Sequence, residues 1–148
     1  MNEQQINVHL KHIPNYEGSF ALDELEKIEI KTHPEFFVVN LDNREGGGTH
    51  WLAFAVYQNS IYICDSLGGL LPNKKFPKRL INFLHVMTHK RKLYISKQLQ
   101  PLDSKQCGQY CVLFISEMSR TNSFYSFLSL FTNDFKQNDK IVSFLFGY

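Results

Sequence analysis

The stretch that most constrains this chain is Gln100-Pro-Leu-Asp-Ser-Lys-Gln-Cys107-Gly108-Gln-Tyr-Cys111-Val-Leu-Phe-Ile-Ser-Glu-Met-Ser119. A polar loop runs into a Cys-Gly pair and then a segment apolar at Tyr110, Cys111, Leu113, Phe114, Ile115 and Met118. Those positions cover most of a helical circumference, so the segment reads as a buried helix that other elements must surround. A Cys in the first turn of such a helix sits where unpaired backbone N–H groups and the helix dipole favour negative charge. A free thiol titrates near ~8.5, and such a site lowers that value and makes thiolate available at neutral pH. Gly108 removes a side chain beside the sulfur, so a substrate backbone is expected to approach closely there. The stretch reads as a nucleophile site; the competing reading is a small buried Cys that only packs.

The remaining bounds come from composition. At 148 residues, 43% hydrophobic and 14% aromatic, the chain suits one domain with an ample core. Three cysteines, at 64, 107 and 111, make no disulfide framework and point to a reducing compartment. The sequence shows neither a signal peptide nor an apolar run of membrane-spanning length, so a soluble protein, intracellular or packaged in a particle, is expected with no membrane partner. The net charge is only +2, but residues 1–45 hold nine acidic and four basic side chains. Between Asp65 and Asp103 there is no carboxylate and there are eight cations: Lys74, Lys75, Lys78, Arg79, Lys90, Arg91, Lys92 and Lys97. That run reads either as a solvated face or as a patch for a polyanion, with DNA the obvious candidate.

Taken in order, residues 1–19 are polar and broken by Pro14, Asn15 and Gly18, and predict no element. A short amphipathic helix is expected over 21–30, capped by Ser19. Strands are expected over 36–41, 52–57 and 61–64, the last two forming a hairpin turned at Gln58-Asn59-Ser60. A helix over 76–90 tolerates Pro77 only in its first turn. A short strand over 93–96 then leads into the Gln100 loop and the buried helix. Two aromatic-rich helices over 124–131 and 141–146 join through Asn133-Asp134. The expected class is α+β: one domain over 1–148 with a small mixed sheet flanked by helices and a Cys at the N-terminus of the central one.

A thiolate needs a neighbouring base, and His is the side chain whose titration suits neutral pH. Of six histidines, His50 stands apart because it follows a Gly-rich loop and opens a strand, where a side chain can be displayed on a rigid element. The expected hairpin brings the end of its second strand, at Asp65, beside the start of its first, and a carboxylate there would fix the imidazole. An acyl-transfer site also needs oxyanion donors, for which a side-chain amide and the nucleophile's own N–H serve. Gln100, Gln106 and Gln109 all qualify, and composition and spacing do not choose among them.

Three segments carry a family likeness: Gly46-Gly-Gly-Thr-His50-Trp-Leu-Ala-Phe-Ala55, Ile61-Tyr-Ile-Cys-Asp65-Ser-Leu-Gly68, and Gln100 through Cys107-Gly-Gln-Tyr-Cys111. Their content and order resemble the adenovirus maturation protease (adenain) family, within the clan of ubiquitin-like-protein proteases. The resemblance implies that His50 is the base, Asp65 the third member, Cys107 the nucleophile and Gln100, seven residues upstream, the oxyanion donor. It places Trp51 and Gly108 beside the substrate cleft, Trp51 mainly as packing for His50. Cys64 and Cys111 read as small core residues, and no metal-ligand spacing is present.

The resemblance further implies a cysteine endopeptidase that cuts viral precursor proteins at Gly-containing sites during virion maturation, in the virion and the nucleus or cytoplasm of an infected cell. The chemistry needs no cofactor. DNA and a viral peptide are the expected activators, and the peptide would not be disulfide-linked, because no Cys lies between Cys64 and Cys107. The alternatives are a deubiquitinating or deSUMOylating protease of the same clan, or a non-catalytic DNA- or protein-binding module on this fold.

Overall fold

The computed structural model describes residues 1–69 and 76–147. Five strands form one sheet in the order β1-β2-β3-β4-β5: Tyr16–Phe20, Glu35–Asn40, Trp51–Val56, Ser60–Cys64 and Lys92–Ile95. The outer pairs β1/β2 and β4/β5 are parallel and the inner pairs antiparallel, which makes a mixed sheet. Helices α1 (Glu3–Leu10), α3 (Cys107–Thr121), α4 (Phe124–Leu128) and α5 (Phe135–Leu145) cover one face. A 3-10 helix, Leu22–Lys27, and α2, Lys78–Met87, cover the other. This is the expected α+β class.

Alternation along the strands explains the two layers. Phe36, Val38, Ala53, Ala55 and Cys64 face α3, whereas Phe37, Val39, Leu52, Phe54, Val56, Ile61 and Ile63 face α2. The alanines of β3 leave room for α3 to lie close against that strand. On the far side Phe37 stacks on Phe54 at 4.8 Å, and Phe83 meets both rings edge-on. All six residues of β2 are buried, as expected for a strand covered on both faces.

Several boundaries differ from expectation. The N-terminal region forms both α1 and β1; Asn2 and Gln5 make a reciprocal capping box that starts α1 despite its weak apolar pattern. The segment expected as an α-helix over 21–30 is the shorter 3-10 helix, and Ser19 does not cap it: its hydroxyl donates to Glu3 at 2.9 Å. Pro77 is the N-cap of α2 rather than part of its first turn. The β3–β4 hairpin forms as expected, with Ala53 opposite Cys64.

Candidate active site

β3 fixes His50. The His50 carbonyl accepts the Leu41 N–H at 3.0 Å, which extends the β2–β3 ladder by one step. Ahead of it, Asn40 Oδ1 accepts the N–H groups of Asp42 and Thr49, and the Asp42 carboxylate accepts that of Gly48. Gly48 has φ +77°, a left-handed conformation that glycine adopts without strain. These contacts bring the chain back to β3 with the imidazole turned inward and buried.

Asp65 directly follows β4 and is fully buried. Its N–H donates to Ser96 Oγ at 2.9 Å, and Ser96 donates back to the Asp65 carbonyl at 3.1 Å. The carboxylate Oδ1 lies 2.7 Å from His50 Nε2 and also accepts the Leu67 N–H at 3.2 Å. The Asp65–Gly68 turn closes through an N–H···O bond of 2.8 Å. There Gly68 has φ +69°, and a Cβ would stand 2.8 Å from the Gln98 backbone nitrogen, so the turn requires glycine twice over.

Cys107 opens α3, where its N–H has no intrahelical acceptor. Its thiol lies against the imidazole, whose Nδ1 is buried without another hydrogen-bond partner. The two groups titrate each other. Burial disfavours imidazolium, but the Asp65 hydrogen bond and Cys107 overcome it and raise His50 to about 9. Burial likewise disfavours thiolate, but His50 and the Trp51 backbone N–H hold Cys107 below the usual thiol value. The arrangement therefore favours a thiolate–imidazolium pair. Cys111 and Cys64 are fully buried and pushed up, which leaves them unreactive core thiols as expected.

Among the three glutamines the structure discriminates. Gln106 donates to the Asp139 carbonyl at 3.4 Å and accepts from Ser143 at 3.2 Å, so it ties α3 to α5. Gln109 is buried and lies outside the cleft wall. Gln100 lines the cleft with Cys107 and His50. Trp51 also lines the cleft, its indole N–H donating to the Met1 carbonyl at 3.3 Å.

Gly108 corrects the sequence reading. It is buried beneath α1, and a Cβ would come within 2.8 Å of the Met1 Cβ and 3.4 Å of Ile6 Cδ1. The missing side chain makes room for the N-terminal segment, not for substrate.

The cleft measures about 730 Å³, and Asn40, Gly46, Trp51, Leu67, Gln100 and Lys105 contribute to its walls. Sequence reasoning missed three supports. Ser66 and Ser96 bond the loops around Asp65 and Gln100, and buried Asn138 donates to the carbonyls of Leu99 and Thr132, both at 2.9 Å. Ser66 adjoins Asp65 in the sequence; the other two carry no sequence signal, because their partners are distant in the chain.

Lys74 and Lys75 lie outside the described residues. Lys78 and Arg79 open α2, where Arg79 pairs with Glu26 at 3.5 Å. The ten residues of α2 span about 15 Å and separate that pair from Lys90, Arg91 and Lys92. Arg91 is engaged by the carbonyls of Tyr57 and Met87, Lys92 lies 5.6 Å from the Tyr94 ring centroid, and Lys97 bonds Asn133 at 3.3 Å. The described cations thus fall into separate groups. No described cluster of three His, Cys, Asp or Glu side chains is placed to hold a metal, and no described helix is long and apolar enough to cross a membrane.

A Cys at a helix N-terminus, facing a His–Asp pair at the ends of two inner strands of a mixed sheet, defines the cysteine-protease type of α+β fold. Solved structures share the fold. An ASFV protease aligns with 95% of this chain at 14% identity and TM-score 0.59, and the chain spans 63% of that protein. The SUMO protease Ulp1 aligns with 97% of this chain and 74% of its own at 16% identity and TM-score 0.53. The central domain of an uncharacterized Legionella pneumophila protein aligns with 95% of this chain and 90% of its own, at 11% identity and TM-score 0.51. No curated protein sequence matches significantly. The sequence profile of the adenovirus endoprotease family matches residues 28–138, three quarters of the chain, a span within which Cys107, His50, Asp65 and Gln100 lie. The chain belongs to the adenovirus endoprotease family.

Proposed function

We propose that this protein is a cysteine endopeptidase that cuts viral precursor polypeptides at Gly-containing sites during particle maturation, in the virion and the infected cell. The observation that carries the reading is the line from buried Asp65 through buried His50 to partly exposed Cys107 in an open cleft. Cys107 thiolate attacks the scissile carbonyl, and the oxyanion that forms is met by the Cys107 N–H and the Gln100 amide. The C–N bond breaks as His50 imidazolium protonates the leaving amine, leaving a thioester. His50 then takes a proton from water, the hydroxide adds, and the thiolate departs with the acid product. Asp65 holds the imidazole orientation throughout.

The test is labelling by a peptide ending in a Gly-derived thiol-reactive group, applied to wild type, Cys107→Ala and Cys111→Ala. Loss confined to Cys107→Ala supports the reading, and its turnover should fall by about 10⁶-fold. Absence of labelling in the wild type, with and without DNA or a viral peptide, would favour a non-catalytic binding module. Cleavage of a ubiquitin-like fusion but of no short Gly-Gly or Gly-Ala peptide would move the substrate to that class. DNA is proposed as an activator through the basic groups on α2 and β5; stimulation should weaken as salt rises, and none at low salt removes it.

A further inference from the structure

The turn after β4 and the loop after β5 meet at Ser66. The Ser66 carbonyl accepts the N–H groups of Leu99 at 2.8 Å and Gln100 at 3.0 Å, and its hydroxyl donates to Gln100 Oε1. The other end of that amide, Nε2, donates one hydrogen to the Ser104 carbonyl at 3.0 Å. Rotating the amide by 180° would set its oxygen against the Ser104 carbonyl, two acceptors with no proton between them. The Ser66 hydroxyl, which can donate or accept, would follow either orientation, so the Ser104 carbonyl sets the orientation and the hydroxyl pins the amide in it. Together the two contacts hold one orientation, and both Ser66 and Gln100 are buried, Gln100 at the cleft wall.

In that orientation the second Nε2 hydrogen has no acceptor among the described residues, while Gln100 lines the same cleft as Cys107. A donor that waits unpaired at a cleft wall is preorganised for charge that develops only during reaction. We propose that Ser66 is a positioning residue for the oxyanion donor: its hydroxyl locks the Gln100 amide so that the free N–H meets the carbonyl oxygen of a bound substrate. This role rests on the protease reading above. It also makes Asp65 and Ser66 a working pair, the carboxylate of one orienting His50 and the hydroxyl of the next orienting Gln100.

The experiment is a double-mutant cycle on cleavage of a fluorogenic Gly-Gly or Gly-Ala peptide, with the pH dependence of Cys107 alkylation by iodoacetamide as a second readout. Ser66→Ala should lower kcat by about 10- to 100-fold, less than the ~10²–10³ expected for losing a donor outright, with KM nearly unchanged. In a Gln100→Ala background the same change should cost less than about twofold, because the partner it acts through is gone. Alkylation should keep its wild-type pH profile, since the thiolate–imidazolium pair does not use Ser66. Wild-type kcat in Ser66→Ala, an equal loss in both backgrounds, or a shifted alkylation profile would overturn the role. Should Ser66→Ala not fold, Ser66→Cys, nearly isosteric with a weaker donor, takes its place with the same expectations. A wild-type chain that alkylates at Cys107 but cleaves no peptide or fusion overturns the protease reading, and this role with it.

Discussion

The loop that precedes His50 and the turn that carries Asp65 serve the same pair of side chains but are built differently. Residues 43–49 are exposed throughout and held by bonds to Asn40 and Asp42 and, at Arg44, by solvent-facing bonds to Asp23, Glu3 and Glu24. Asp65, Ser66 and Gly68 are buried, and bonds from Ser96, Leu99 and Gln100 tie their turn to the loops after β5. The difference separates two jobs. The first loop forms an open cleft wall and needs only to return the chain to β3, which itself places the imidazole. The second has no strand beneath the carboxylate, so a satisfied polar network must do that placing instead.

Between these two segments, the largest expected effect lies in the buried turn. Asp65→Asn should lower kcat by about 10⁴, by analogy with loss of the triad carboxylate elsewhere. It should also shift the alkaline limb of kcat/KM. The active pair needs protonated His50, so wild-type activity falls as pH rises through about 9; without the carboxylate the limb moves down toward the ordinary imidazole range near ~6.5. A pH–rate profile that keeps its limb in place would mean that Cys107 alone sustains the imidazolium.

Two glycine variants then compare the loops directly. Gly68→Ala combines a left-handed φ with a Cβ 2.8 Å from the Gln98 backbone, so unfolding free energy should fall by about 2–4 kcal/mol. Asn138→Ala should follow at about 1–3 kcal/mol, because the buried Leu99 carbonyl and the partly exposed Thr132 carbonyl lose their donor. Gly48→Ala should cost only about 1 kcal/mol, since its Cβ would meet nothing closer than Asn40 Nδ2 at 3.4 Å. Denaturant melts rank the three. Equal losses at Gly48 and Gly68 would dissolve the distinction between a tolerant wall and a rigid turn.

How much of this was legible depends on the range of each interaction. The hairpin of β3 and β4 and the buried α3 follow from local periodicity, and with them the approach of His50, Asp65 and Cys107. α1 was not legible because its stability comes from a capping box and from packing of Ile6 and Leu10 in the core, with little apolar pattern elsewhere. Gly108 was misread for a related reason: what lies over it is Met1, more than a hundred positions away in sequence. The choice of Gln100 over Gln106 and Gln109 also depends on distant partners, Ser66 for the first and Ser143 on α5 for the second.

The strand order has a consequence for how the protein comes into being. Neighbours in the sheet are neighbours in the chain, so the five strands can add in turn as they leave the ribosome, by a tight turn between β3 and β4 and by a crossover through α2 between β4 and β5. The sulfur arrives after all of them, and it meets the imidazole only when the helix ending at Thr121 has docked on β3. A nascent chain that stops short of that helix holds His50 and Asp65 with no thiol facing them. Translation itself thereby withholds the reactive centre until the scaffold that confines it is in place.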